Sequence, residues 1–92
     1  MTVASRIREK LAGALTPSRL EIVDESHKHA GHSGARPEGE THFRVVITSQ
    51  AFDGLTRIER QRLVYELLAS ELKERIHALE IKALAPGEDS AP

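Results

Sequence analysis

Ninety-two residues suffice for one domain with one core, too small to enclose a deep active site. Hydrophobic residues at 39% and charged residues at 29% mark a folding chain, and thirteen Lys and Arg against fourteen Asp and Glu leave a net charge of −1, with no overall pull toward nucleic acid or an anionic membrane. The absence of cysteine excludes disulfides, thiolate nucleophiles and cysteine-only zinc or iron–sulfur sites held by this chain alone.

From Thr2 to about Leu15, apolar Val3, Ile7, Leu11 and Ala14 or Leu15 recur at the period of one helix face, and Thr16-Pro17 ends the helix. Arg6, Arg8 and Lys10 on this amphipathic pattern hint at a mitochondrial presequence, but Glu9 and the helix's place in the fold argue against it. No apolar run is long enough for a membrane span or secretory core, so a cytoplasmic location is expected.

Leu20 and Ile22 alternate with Glu21 and Val23 in a first strand, and Phe43, Val45 and Ile47 with His42, Arg44 and Val46 in a second. Between them, 26–40 holds three of the six glycines and three histidines and reads as a long hairpin loop. Phe52-Asp53-Gly54-Leu55 forms a turn, and Thr56-Arg57-Ile58-Glu59 has the spacing of a capping box. One long helix is expected from there to about Arg75, with Ile58, Leu63, Val64, Leu67, Leu68, Leu72 and Ile76 on its apolar series. His77, Leu79, Ile81 and Ala83 then alternate with Ala78, Glu80 and Lys82 in a third strand, and an acidic tail occupies 87–92.

This order predicts an α+β domain over 1–86. The first two strands pair as a hairpin, the third returns parallel to one of them, and the helices cover one face of a three-stranded mixed sheet.

Val23-Asp24-Glu25-Ser26, His29, Glu40-Thr41-His42-Phe43-Arg44-Val45, Phe52-Asp53-Gly54, Arg60-Gln61-Arg62-Leu63-Val64-Tyr65 and Ile76-His77-Ala78-Leu79 together resemble the BolA family, over about Ile7 to Ala85. The resemblance implies a class II KH-like α-β-β-α-α-β fold and a non-enzymatic role as partner of a monothiol glutaredoxin, with which a 2Fe-2S cluster is shared in iron homeostasis or cluster trafficking. It matches the chain's metal ligands to His77 and His29, with His32 and His27 behind them. Glutaredoxin and glutathione would supply the sulfur, and no cluster would be held by the chain alone, a monomer or weak homodimer when apo. The family is also described as DNA-binding regulators. Two departures stand out. Gln61 replaces the usual middle histidine of Arg-His-Arg, and the hairpin loop is longer, with His27 and His32 beside His29.

The residues themselves agree with an incomplete site, since imidazoles can replace cysteines on one iron of such a cluster but cannot supply all of its ligands. Read without the resemblance, His77 could cap its strand, and His42, opposite Phe43, Val45 and Ile47 in parity, reads as a surface or structural residue rather than a ligand. Arg57, Arg60 and Arg62 near a helix start, with Arg44, could form an anion or DNA-backbone site, or an ordinary solvated face. Gly31-His32-Ser33-Gly34 has the letters of a KH clamp but lies in the hairpin loop, and the three aromatics offer little base stacking. Catalysis lacks its usual constellations, and Asp24, Ser26 and His27 crowd one strand end facing different ways.

Overall fold

The computed structural model describes residues 2–25 and 41–88, arranged as α1 (Val3–Leu15), β1 (Arg19–Asp24), β2 (His42–Thr48), a 3₁₀ turn (Gln50–Phe52), α2 (Arg57–Leu67), α3 (Ala69–Glu74) and β3 (Ala78–Leu84). The expected hairpin loop at 26–40 and the last four residues lie outside the described residues.

Thr2 caps α1 by accepting the Ser5 N–H at 3.0 Å, which leaves Val3, Ile7, Leu11 and Leu15 on the buried face. Thr16 stops the helix with a left-handed φ of 40°, its N–H still bonded to the Ala12 carbonyl, an unusual conformation for a β-branched residue. The sheet order is β1-β2-β3, with β1 antiparallel and β3 parallel to the central β2. Phe43, Val45 and Ile47 of β2 and Ile81 of β3 meet the α1 residues, Phe52, Val64 and Leu68 in one apolar core. The fold is the α+β arrangement that the alternation patterns predict.

Buried Ser49 locks the far end of the sheet. Its hydroxyl donates to the Leu15 carbonyl at 2.6 Å and accepts the Ala51 N–H, while its own N–H reaches the Leu84 carbonyl. Gly54, at φ 80°, makes the turn into α2, a conformation that an L side chain would strain.

The expected single long helix is instead two. Leu68, at φ −104° and ψ 17°, bends the chain between α2 and α3, although its N–H still reaches the Val64 carbonyl at 3.0 Å and its carbonyl accepts from Leu72 at 2.9 Å. Val64, Leu68 and Glu71, at the i, i+4, i+7 spacing of one helix face, stay buried through the bend, while Ile58, expected on the apolar series, is 61% exposed.

Glu71 is the polar exception in the core. It is fully buried, accepts a 2.8 Å hydrogen bond from Lys10 Nζ, and has Arg6 Nη2 at 2.9 Å from its other oxygen. Burial opposes its ionisation, but the Lys10 hydrogen bond, backbone hydrogen bonding and the charges of Lys10 and Arg6 outweigh it and hold the carboxyl below the usual carboxylate range. Both cations keep about a third of their side chains in solvent, which weakens the pair by screening. Glu71→Gln is therefore expected to lower stability by about 1–3 kcal/mol at neutral pH. Because the folded carboxyl titrates below its unfolded value, this contribution is present above pH ~4.3 and fades as pH falls through the folded value. Thermal melts from pH 7 to 3 should show wild type and variant converging in acid; parallel curves would contradict the ionised pair.

Candidate functional site

Two histidines meet where β2 and β3 begin. In the parallel register His42 lies opposite Ala78, so the residue preceding β3 arrives beside the first residue of β2. Buried Thr41 ties them together. Its carbonyl accepts the N–H groups of both His77, at 2.7 Å, and Ala78, at 3.2 Å, and its hydroxyl lies 2.8 Å from His42 Nδ1. The two imidazole centres are 6.2 Å apart with ring planes inclined by 28°.

Upstream, the N–H groups of Arg75 and Ile76 both reach the Glu71 carbonyl, closing α3, and Ile76 is buried. The chain is thus fixed on both sides of His77. The imidazole itself is exposed, and β3 begins one residue after it, so His77 does not share the inward face of Leu79 and Ile81 as its parity predicts. His42 is half-buried on the opposite sheet face from Phe43, as expected, and its carbonyl accepts the Glu25 N–H at 2.7 Å. A cleft of about 200 Å³ opens alongside, lined by Glu25, His42, Phe43, Ala78, Leu79 and Glu80. Of the candidate ligands, His29, His32 and His27 fall outside the described residues, whereas His77 stands beside an imidazole, His42, that parity alone assigns to the surface.

Of the candidate arginines, Arg57 and Arg60 line one cleft, while Arg44 and Arg62 do not line it. Arg44 lies on the open sheet face with Nε 3.8 Å from Glu25, and Arg57 and Arg62 are exposed on α2. Arg60 is spent inside the molecule: Nε donates to the Leu55 carbonyl at 3.0 Å, Nη1 to the Ala83 carbonyl at 3.1 Å, and the guanidinium grips both Glu88 oxygens. Glu88 also accepts the Ala85 N–H, which makes it part of the folded unit rather than of the expected tail. At the start of α2 the capping box is complete, with Glu59 accepting the Thr56 N–H at 2.8 Å. That hydrogen bond is the main cause holding the Glu59 carboxyl below the usual range, so the helix start already has a carboxylate of its own. A larger cleft of about 600 Å³ runs between α2 and the outer edge of β3, with Arg57, Arg60, Gln61, Glu80 and Lys82 on its walls. No described helix is long and apolar enough to cross a membrane.

An α-β-β-α-α-β domain with a mixed sheet and a histidine fixed ahead of its last strand is the class defined by this geometry. The chain belongs to the BolA family: the family model described as BolA-like protein matches residues 11–88. It is 49% identical over 87 residues to SufE-like protein 1, chloroplastic/mitochondrial, of Arabidopsis thaliana, and 43% identical over 79 residues to the DNA-binding transcriptional regulator BolA of Escherichia coli (strain K12). Those matches cover 90% and 86% of this chain, but 24% and 71% of the respective relatives. The structure of BolA1 from Arabidopsis thaliana superposes with a TM-score of 0.87 at 46% identity, covering 98% of both chains. The chain spans about half or less of the length of two plant relatives that it matches.

The Arg60–Glu88 strap generates a pH prediction. Arg60, with the Ala85 N–H, holds the Glu88 carboxyl at about 2, below its ordinary value, so the strap stabilises the fold above pH ~4.3 and is lost as pH falls toward that lower value. Arg60→Ala should lower the melting temperature at pH 7 and reduce its fall between pH 5 and 2.5. An unchanged melting temperature at pH 7 would show that the strap carries no stability.

Proposed function

We propose that this chain is a non-enzymatic adaptor that binds a monothiol glutaredoxin and supplies imidazole ligands to a 2Fe-2S cluster shared between them, in iron sensing or cluster trafficking. The observation that carries the reading is the presentation of His77: an exposed imidazole on a backbone fixed by the Thr41 carbonyl, with a second imidazole 6.2 Å away.

The donor set fits half of such a cluster. Imidazole is an established replacement for thiolate on one iron, but this chain has no thiol and the described residues form no cluster of three or more metal-ligating side chains. Sulfur must therefore come with a partner, here the glutaredoxin cysteine and glutathione. When bound, the cluster supplies one-electron chemistry and an exchangeable iron–sulfur unit. The chain's own contribution is to present His77 at an open surface, where a partner can approach, and to keep its backbone from shifting when a ligand pulls on it. His29 is the loop residue matched to the second ligand by family resemblance.

A second reading, DNA binding through Arg44, Arg57, Arg60 and Arg62, draws support from the Escherichia coli relative's name and from the wide cleft walled by Arg57, Arg60 and Lys82. Arg60's internal bonds and the nearby Glu80 and Glu59 weaken it. It predicts affinity that falls steeply with salt and drops further in Arg57→Ala/Arg62→Ala; indifference to both would remove it.

The adaptor reading is tested by reconstituting the chain and a monothiol glutaredoxin with iron, sulfide and glutathione. A heterodimer whose visible spectrum differs from the glutaredoxin homodimer's is expected, with a higher reduction potential from imidazole ligation. His77→Ala should abolish both differences. Heterodimer and spectrum unchanged in His77→Ala would remove His77 as a ligand.

A further inference from the structure

β3 is an edge strand, paired with β2 on one side only. In a parallel ladder the backbone groups of alternate residues point to opposite edges. Ala78 donates its N–H to the Thr41 carbonyl and the Leu84 carbonyl accepts from Ser49, so the even-numbered residues of β3 face β2, and Leu79, Ile81 and Ala83 face outward. Two side chains of α2 reach that outer edge: the Tyr65 hydroxyl donates to the Leu79 carbonyl at 3.2 Å, and Arg60 donates to the Ala83 carbonyl. Between them, the N–H groups of Leu79, Ile81 and Ala83 and the Ile81 carbonyl have no hydrogen-bond partner among the described residues. Such an edge is a template for another strand.

We propose that this edge pairs with the same edge of a second copy of the chain, antiparallel about a two-fold axis at Ile81, so that the two sheets join into one. Leu79-Glu80-Ile81-Lys82-Ala83 is self-complementary in that register. Ile81 meets Ile81 of the second copy and exchanges both N–H···O bonds with it, Leu79 meets Ala83, and Glu80 stands opposite Lys82 on each side of the axis. A two-fold interface demands this reciprocal matching. Glu80 and Lys82 are exposed, and neither side chain makes an ion pair or hydrogen bond among the described residues, so both are available to the second copy. Opposite charges facing each other across an antiparallel pair stabilise it, and like charges there oppose it.

The surroundings fit the same occupant. The carbonyls bonded to Tyr65 and Arg60 stay usable, since each carbonyl oxygen has two lone pairs. Ile58 and Tyr65, 61% and 38% exposed, share one stripe of α2 with Gln61, and Gln61 lines the cleft of about 600 Å³ beside Ile81. The two-fold axis puts the helices of both copies on the same side of the joined sheet, with this stripe of each α2 flanking the seam. β1, the other edge strand, has no free pair of this kind, because its Arg19 and Glu21 side chains are already joined to each other. The register also sets Leu84 of the second copy opposite Ala78, one residue from His77, so the seam borders the candidate site.

The test is pulsed-gradient diffusion and ¹⁵N-resolved spectra of the full chain from about 20 µM to about 2 mM, the range of a weak pair. A concentration-dependent dimer is expected, with shifts and slowed amide exchange at Leu79, Ile81 and Ala83. Glu80→Lys and Lys82→Glu each set like charges opposite one another and should weaken the dimer roughly tenfold. Mixing the two variants should restore it as a pair of unlike copies, and the double variant Glu80→Lys/Lys82→Glu should restore it alone. A chain that stays monomeric throughout that range overturns the proposal and leaves the edge to an extended segment of another protein. A dimer whose shifts fall elsewhere, that keeps its affinity in both single variants, or that neither the mixture nor the double variant restores also overturns it, since another surface or register is then in use.

Discussion

The Thr41 carbonyl accepts two N–H groups, those of His77 and Ala78, and the start of β3 depends on that bifurcated bond. A crossover of two helices separates β2 from β3, so nothing local in the sequence holds the two strand starts together. Parallel pairing does, and it begins at Thr41. Because Thr41 is buried, the bond is made away from competing water. The placement of both histidines follows from it: His77 emerges into solvent just before the ladder starts, and His42 opens β2 opposite the next residue, Ala78.

Charged groups secure the elements that return the chain to this point. Glu71 binds α3 to α1 through Lys10 and Arg6, and its backbone carbonyl takes the N–H groups of Arg75 and Ile76 just ahead of His77. A buried carboxylate is a costly way to join helices, and its stabilising effect lies in the two cations that meet it. At the opposite end, Arg60 ties the carbonyls of Leu55 and Ala83 to Glu88, fastening the end of β3 to α2. These are structural uses of residues that a list of charges would assign to a surface.

Local periodicity made much of this fold legible. The inward face of α1, the alternation of β2 and β3 and the capping box at Thr56 are properties of neighbouring residues and appear as expected. What the sequence leaves open depends on distant partners. Lys10 and Glu71 are 61 residues apart and Arg60 and Glu88 are 28 apart, so neither pair follows from spacing. The bend at Leu68 likewise leaves no mark in the sequence, since the apolar period runs through it unbroken. In the candidate site, His77 is marked by its motif, but the approach of His42 needs the β2–β3 register, and the alternation patterns say only that β3 runs parallel to one of two strands.

The candidate site thus places two imidazoles near each other on a small scaffold that has no cysteine thiol to add. In the proposed adaptor role that shortage makes cluster binding conditional on the partner, and the fold supplies rigidity at the one edge where the partner must approach. Labelling the histidines of this chain alone with ¹⁵N, and recording pulsed EPR of the reduced heterodimer with unlabelled glutaredoxin and glutathione, reads the central claim directly. The account predicts couplings from ¹⁵N nitrogens of this chain; a cluster that couples to none of them would contradict it.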